Sequence, residues 1–162
     1  MSEVFVGIGS NVEPERRIRE ALRLMRQRFG ALRISPVYRN PAVGFQGDDF
    51  YNLVVGFQSN GQVAALNAAL DEIEEQCGRL RGGPRFAPRT LDLDLLLYGD
   101  LVTESPVRLP RREILKYAYV LKPLVDLAAD RRHPVTGRSF AEHWREFDAA
   151  AEPLVPVPLQ GL

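Results

Sequence analysis

Apolar and polar positions along the chain follow two different periods, and the switches between them mark the elements. Val4-Phe5-Val6-Gly7-Ile8 is an unbroken apolar run ending at Gly9-Ser10-Asn11, as a buried strand would. Pro14 suits the first turn of a helix, and Ile18, Leu22, Met25 and Phe29 recur at helical spacing until Gly30 stops them. Leu32 to Val37 predicts a second strand. Asn40 to Asp49, carrying Pro41, Gly44 and Gly47, predicts a loop after a turn at Tyr38-Arg39-Asn40-Pro41. Tyr51 to Phe57 predicts a third strand, ended by Ser59-Asn60-Gly61. Val63, Leu66, Leu70, Ile73 and Cys77 form the stripe of a second helix, closed by Gly78. Loop follows to Thr90, then a fourth strand from Leu91 to Tyr98 and a turn at Gly99-Asp100.

The order βαββαβ places the chain in the α+β class, as a ferredoxin-like antiparallel sheet. Both helices would cover one face. The other face would be left for ligands and for additional C-terminal strands and helices. One domain is expected over 1–148, followed by an extended tail over 149–162. Fold alone does not decide function, since this plan serves RNA-binding modules, regulatory ligand domains and enzymes alike.

Charge narrows the choice. Lys+Arg 21 against Asp+Glu 21 gives no net charge, which disfavours a protein that coats nucleic acid or an acidic membrane. Only Lys116 and Lys122 are lysines, so the positive charge is almost all guanidinium, which suits phosphate and carboxylate. The single cysteine, Cys77, excludes an internal disulfide and reads as core. His133 and His143 lack zinc-ligand spacing. No apolar run is long enough to span a bilayer and no leader pattern opens the chain, so a cytoplasmic protein, with no membrane partner, is expected.

In Leu91-Asp92-Leu93-Asp94-Leu95, period two sends the leucines toward the helices and both aspartates to the opposite face, which continues with Leu96 and Tyr98. Two carboxylates whose Cα atoms lie ~6.5–7 Å apart repel by roughly 2.5 kcal/mol at an effective dielectric of ~20. A solvated polar face would dissipate that repulsion, and a divalent cation would use it. Hard oxygen ligands at this separation suit Mg²⁺ in phosphoryl transfer. The preceding loop holds Arg79, Arg81, Arg85 and Arg89 within 11 residues, so phosphate-binding groups run directly into metal-binding ones. Gly7-Ile8-Gly9-Ser10-Asn11-Val12 is no dinucleotide fingerprint, because Val12 stands at the third glycine position; no P-loop is present either.

Gly78-Arg79-Leu80-Arg81 followed by Arg85-Phe86-Ala87-Pro88-Arg89-Thr90-Leu91-Asp92-Leu93-Asp94 resembles the signature of the 6-hydroxymethyl-7,8-dihydropterin pyrophosphokinase family. Gly9-Ser10-Asn11 and Phe50-Tyr51-Asn52 extend the resemblance, which runs from about Val4 to Leu124. It implies transfer of the β,γ-pyrophosphate of ATP to the hydroxymethyl oxygen of the pterin, releasing AMP and using two Mg²⁺. It also implies Asp92 and Asp94 as metal ligands, with Arg79 and Arg89 on the triphosphate and Arg81 and Arg85 on a loop closing over it. Glu74, Leu95 and Arg111 would lie with the nucleotide, Arg111 where the family has a histidine. Phe50 and Tyr119 would sandwich the pterin, Asn52 would read its polar edge, and Asn40, Pro41, Val43 and Gly44 would form the substrate-side loop. A monomer with small-molecule partners and no nucleic acid is expected. The competing readings are a non-catalytic nucleotide- or pterin-binding domain and an RRM-like module using Phe50, Tyr51 and Phe57, though the RNP pattern is missing.

Overall fold

The computed structural model describes residues 1–41, 49–78, 91–159 and 161–162. Strand β1 (Ser2–Ser10) leads through α1 (Pro14–Phe29) to two short strands, β2 (Arg33–Ile34) and β3 (Val37–Asn40), and then to β4 (Phe50–Ser59). Helix α2 (Val63–Gln76) precedes β5 (Asp92–Tyr98). The C-terminal part supplies α3 (Glu113–Lys116), α4 (Ala118–Ala128), α5 (Phe140–Glu146), a 3-10 turn (Ala149–Ala151) and β6 (Val155–Val157). The sheet is antiparallel, in the order β5-β1-β4-β3-β6, with β2 also on β4. That is the ferredoxin-like plan with its second strand in two pieces.

Both helix ends obey local chemistry. Gly30 and Gly78 follow α1 and α2 at φ 85° and 100°, a region that a side chain disfavours. The split of the expected Leu32–Val37 strand falls at Ser35-Pro36. Pro36 has no N–H for the ladder, and the Ser35 hydroxyl accepts the Val54 N–H at 2.9 Å instead. Beyond it β3 runs to Asn40, so the expected turn at Tyr38–Pro41 is strand as far as Asn40.

Each face of the sheet has its own core. Val4, Val6, Ile8, Leu91, Leu93 and Leu95 pack under α1 and α2 with Ile18, Leu22, Met25, Leu66, Leu70 and Ile73. On the other face Phe5, Val54, Leu96 and Leu97 meet Ile114, Leu121, Leu124 and Phe140. The alternation read in β5 holds as far as Leu96 and then breaks. Val6 pairs with Leu95 but Phe5 with Leu97, which leaves Leu96 as an extra, bulged residue. Tyr98 is therefore not on the aspartate face. It packs on the helix side and donates its hydroxyl proton to the Gly61 carbonyl. Tyr51 also packs on the helix side, and Phe57 stacks on Phe29 with ring centroids 4.5 Å apart, so neither offers a base-stacking surface.

Near the C-terminus β6 folds back onto the sheet edge, with Val37 opposite Val157 and Arg39 opposite Val155. A further tie joins β3 to α4: Tyr38 donates to Asp126 Oδ2 at 2.5 Å, and Lys122 holds the other carboxylate oxygen at 2.8 Å. Burial, then this carboxylate, raises the Tyr38 phenol well above its ordinary value, so it remains the donor. Among the described residues no helix is long and apolar enough to cross a membrane.

Beyond α4, buried His133 accepts from the Val135 and Thr136 amides through Nδ1, at 3.1 and 3.2 Å. Both bonds require that nitrogen to be unprotonated. Burial, then the His143 charge, pushes its pKa below the ordinary 6.5. Above about 6.5 both folded and unfolded chains carry neutral imidazole. As pH falls below that, only the unfolded chain gains the proton, so stability declines by at most about 1.4 kcal/mol per pH unit until the folded value is reached. Urea melts at pH 7.5 and 5.5 are expected to show a smaller loss for His133→Asn than for the native chain. Equal losses would remove His133 as the source.

Candidate functional site

The site grows out of two glycines in β1. Gly7 stands opposite Asp94 on β5 and Val54 on β4, and Gly9 stands opposite Asp92 and Asn52. A strand interior without side chains on one face is a place where a ligand can approach the backbone. Here it leaves a trough between the two aspartates and the Asn52 row. The cavity measures about 190 Å³ and is lined by Gly7, Gly9, Asn40, Phe50, Asn52, Asp92, Asp94, Arg111, Glu113, Tyr119 and Val120. A Cβ built on Gly9 would lie 2.8 Å from Asn52 Oδ1, and one on Gly7 would come no nearer than 3.5 Å to anything, its nearest neighbour being Leu96. A side chain on Gly9 would therefore have to displace the amide beside it.

On the far side of the trough, Asn52 on β4 and Asn40 on β3 are diagonal neighbours, Asn52 standing opposite Tyr38 and Asn40 opposite Phe50. Asn52 Nδ2 donates to Asn40 Oδ1, and Asn40 Nδ2 donates to the Pro41 carbonyl at 3.1 Å. Both amides are buried, so the chain of bonds holds Asn52 in one orientation. Tyr119, at the start of α4, stacks on Tyr117 with ring centroids 5.0 Å apart. Burial, then the neighbouring Tyr117, Glu113, Asp94 and Glu152, pushes its phenol up to about 12, so it is a neutral donor at physiological pH. Asp94 is exposed to the cavity, and Arg111 Nη1 lies 3.9 Å from its Oδ1. Arg111 is itself anchored at the bulge: its backbone N–H donates to the Leu96 carbonyl at 3.0 Å and its Nε to the Leu95 carbonyl at 2.9 Å. The bulge therefore aims the guanidinium along the acidic edge.

Of the residues expected from sequence, Asn40, Phe50, Asn52, Asp92, Asp94, Arg111 and Tyr119 converge on this one cavity. Pro41 borders a neighbouring cavity with Asn40 and Tyr119. Leu95 does not line the cavity; its side chain is buried in the helix-side core, because it alternates with Asp94. Glu74 is buried between α2 and β5, where Oε1 accepts the Leu93 N–H at 2.7 Å. It satisfies a backbone donor on the outer edge of β5 and so holds the aspartate strand against the helix. Arg79, Arg81, Arg85, Arg89, Val43 and Gly44 lie outside the described residues. Sequence reasoning missed the role of Gly7 and Gly9. Their signal was two glycines spaced by two on one face of an otherwise apolar strand.

The sequence model of the 7,8-dihydro-6-hydroxymethylpterin-pyrophosphokinase family matches residues 5–129. The chain belongs to this family. The 2-amino-4-hydroxy-6-hydroxymethyldihydropteridine pyrophosphokinase of Pseudomonas aeruginosa is 38% identical over 149 residues, 88% of this chain and 90% of that protein. The mitochondrial folate synthesis bifunctional protein of Pisum sativum is 33% identical over 159 residues, and there the chain spans 31% of the relative's length. Among solved structures, the wild-type HPPK-DHPS of Plasmodium falciparum superposes with a TM-score of 0.70 at 11% identity, covering 90% of this chain and 43% of that one. An HPPK-DHPS solved in complex with substrates gives 0.74 at 10% identity, covering 92% and 44%. At such identities these two establish the fold alone.

Proposed function

We propose that this chain transfers pyrophosphate from ATP to the hydroxymethyl group of 6-hydroxymethyl-7,8-dihydropterin, giving AMP and the pterin diphosphate in folate biosynthesis. The reading is carried by one coincidence. The family match falls on a trough with paired carboxylates along one edge and an aromatic–amide pocket along the other. A reaction joining a polyanion to a flat heteroaromatic alcohol needs both.

Phe50 and Tyr119 hold the pterin ring, and Asn52, fixed by Asn40, reads its polar edge. Pro41, Val43 and Gly44 complete that side. Arg79 and Arg89 grip the triphosphate, Arg81 and Arg85 close over it, and Arg111 adds a guanidinium along the aspartate edge. Glu74 acts here through β5, by holding the strand that carries the aspartates. Asp92 and Asp94 would hold Mg²⁺, with two ions the expected number. The two aspartates form the hard oxygen set this ion takes, leaving positions for phosphate oxygens and water, and among the described residues no sulfur or imidazole lines the cavity. When bound, the metal offsets charge developing on the phosphate oxygens. The pterin hydroxyl oxygen forms a bond to the β-phosphorus and gives up its proton to solvent, as the bond from that phosphorus to the oxygen bridging to the α-phosphate breaks and AMP departs with that oxygen. The chain's contribution is alignment of these two centres and neutralisation of charge.

The chain is proposed to act as a monomeric cytoplasmic enzyme of one domain over 1–148, with 149–162 as an appended segment. ³¹P NMR of ATP, Mg²⁺ and the pterin with the purified protein is expected to show AMP and a pterin diphosphate. ADP instead would mean single phosphoryl transfer, and bound ATP without turnover would mean a binding protein.

A further inference from the structure

Tyr119 is the second residue of α4, so anything that fixes the first turn of this helix also fixes the ring. The preceding residue, Tyr117, is extended at φ −125° and ψ 132° and makes no side-chain cap. The capping function comes from far along the chain instead. Glu152 Oε1 accepts the Ala118 N–H at 3.1 Å, across 34 residues. Ala118 is fully buried, so this donor has no solvent to turn to. A carboxylate at a helix N-terminus is favoured further by the aligned peptide dipoles.

Glu152 is itself held in place. Just beyond it, β6 pairs with β3, Val155 opposite Arg39, one residue before Asn40. The segment thus reaches both halves of the pocket: the ladder holds Arg39, next to Asn40, and the helix cap holds the turn that carries Tyr119. A second cavity, of about 180 Å³, is walled by Ala151, Glu152, Pro153 and Leu154 on one side and by Asn40, Pro41 and Tyr119 on the other. Glu152 lies outside residues 5–129, so the family match does not reach it.

The geometry points to Glu152 as a positioning residue for the pterin pocket, acting through the α4 N-terminus to set the Tyr119 ring against the substrate. This rests on the pterin reading above. It makes the C-terminal segment part of the substrate site.

Glu152→Ala is expected to raise the pterin KM about fivefold while leaving kcat and the ATP KM within twofold. Glu152→Gln keeps an acceptor oxygen in place and is expected to stay within twofold of the native enzyme in all three constants. In ¹H–¹⁵N spectra the Ala118 amide is expected to move in Glu152→Ala and to stay near its native position in Glu152→Gln. A structural role alone would lower the melting temperature of Glu152→Ala without this split between KM and kcat. An unchanged pterin KM, an equal rise for both substrates, an unmoved Ala118 amide, or a Gln variant as impaired as the Ala one would each overturn the inference. A native protein that does not convert the pterin would sink the functional reading and this inference together, and that result is distinct from an inert Glu152.

Discussion

Asp94→Ala is expected to lower turnover at least about 100-fold, because it removes a carboxylate proposed to hold the charge-neutralising metal at the phosphates. The fold should barely notice. The Asp94 side chain is 52% exposed, and Arg111 Nη1, its described ion-pair partner, lies at the long end of the range, 3.9 Å from Oδ1. An ion pair this open contributes on the order of 0–1 kcal/mol. The melting temperature should therefore stay within a few degrees of the native value, which separates loss of chemistry from loss of structure. Asp94→Asn should be nearly as slow, since it keeps the shape and loses the charge. Rates followed by AMP release will decide it. Turnover near the native rate in either variant would remove Asp94 from the metal.

Gly9→Ala is expected to raise the pterin KM at least about tenfold, equivalent to about 1.4 kcal/mol of binding. The new methyl would sit 2.8 Å from Asn52 Oδ1, nearer than nonbonded carbon and oxygen tolerate, and Asn52 is confined by its bond to Asn40. The amide must swing, and the edge it reads is lost. Gly7→Ala is the control, because its methyl would meet Leu96 at an ordinary 3.5 Å. If the effect runs through the amide, Gly9→Ala should add little in an Asn52→Ala background, a non-additivity that residues in contact show. Full additivity, or an equal penalty from Gly7→Ala, would mean that the methyl acts by filling the trough and not by moving Asn52.

Much of the site was legible because its signals are local. Asp92 and Asp94 alternate with leucines within one strand, so period two alone puts them on the face away from the helices, and the cavity indeed receives both. The same rule carried no information past Leu96. The bulge there arises from pairing with β1, and it turned Tyr98 to the helix side. For Leu95, which the resemblance placed with the nucleotide, the alternation already placed the side chain in the core. The resemblance placed Glu74, one position off an apolar stripe, near the nucleotide; among its described bonds is one from the backbone of β5. A helical stripe shows which face a residue occupies and not which strand edge that face meets.

The sequence by itself determined the period of each element, the βαββαβ order, the class of the fold and the family. The first three follow from spacing within each element, where chain geometry dictates which side chains share a face, and the family from the resemblance of the Gly78–Asp94 run to its signature. Tertiary structure alone decided what lies across from what. The interruption at Ser35-Pro36 takes its form from a hydroxyl bonding to Val54 on the neighbouring strand. The trough exists because Gly7 and Gly9 come into register between Asp94 and Asp92 on one strand and Val54 and Asn52 on the other. Glu152 caps Ala118 because β6 closes on β3. Each joins residues 19 or more positions apart, and such contacts are selected by the packing of the whole chain, on which local periodicity is silent.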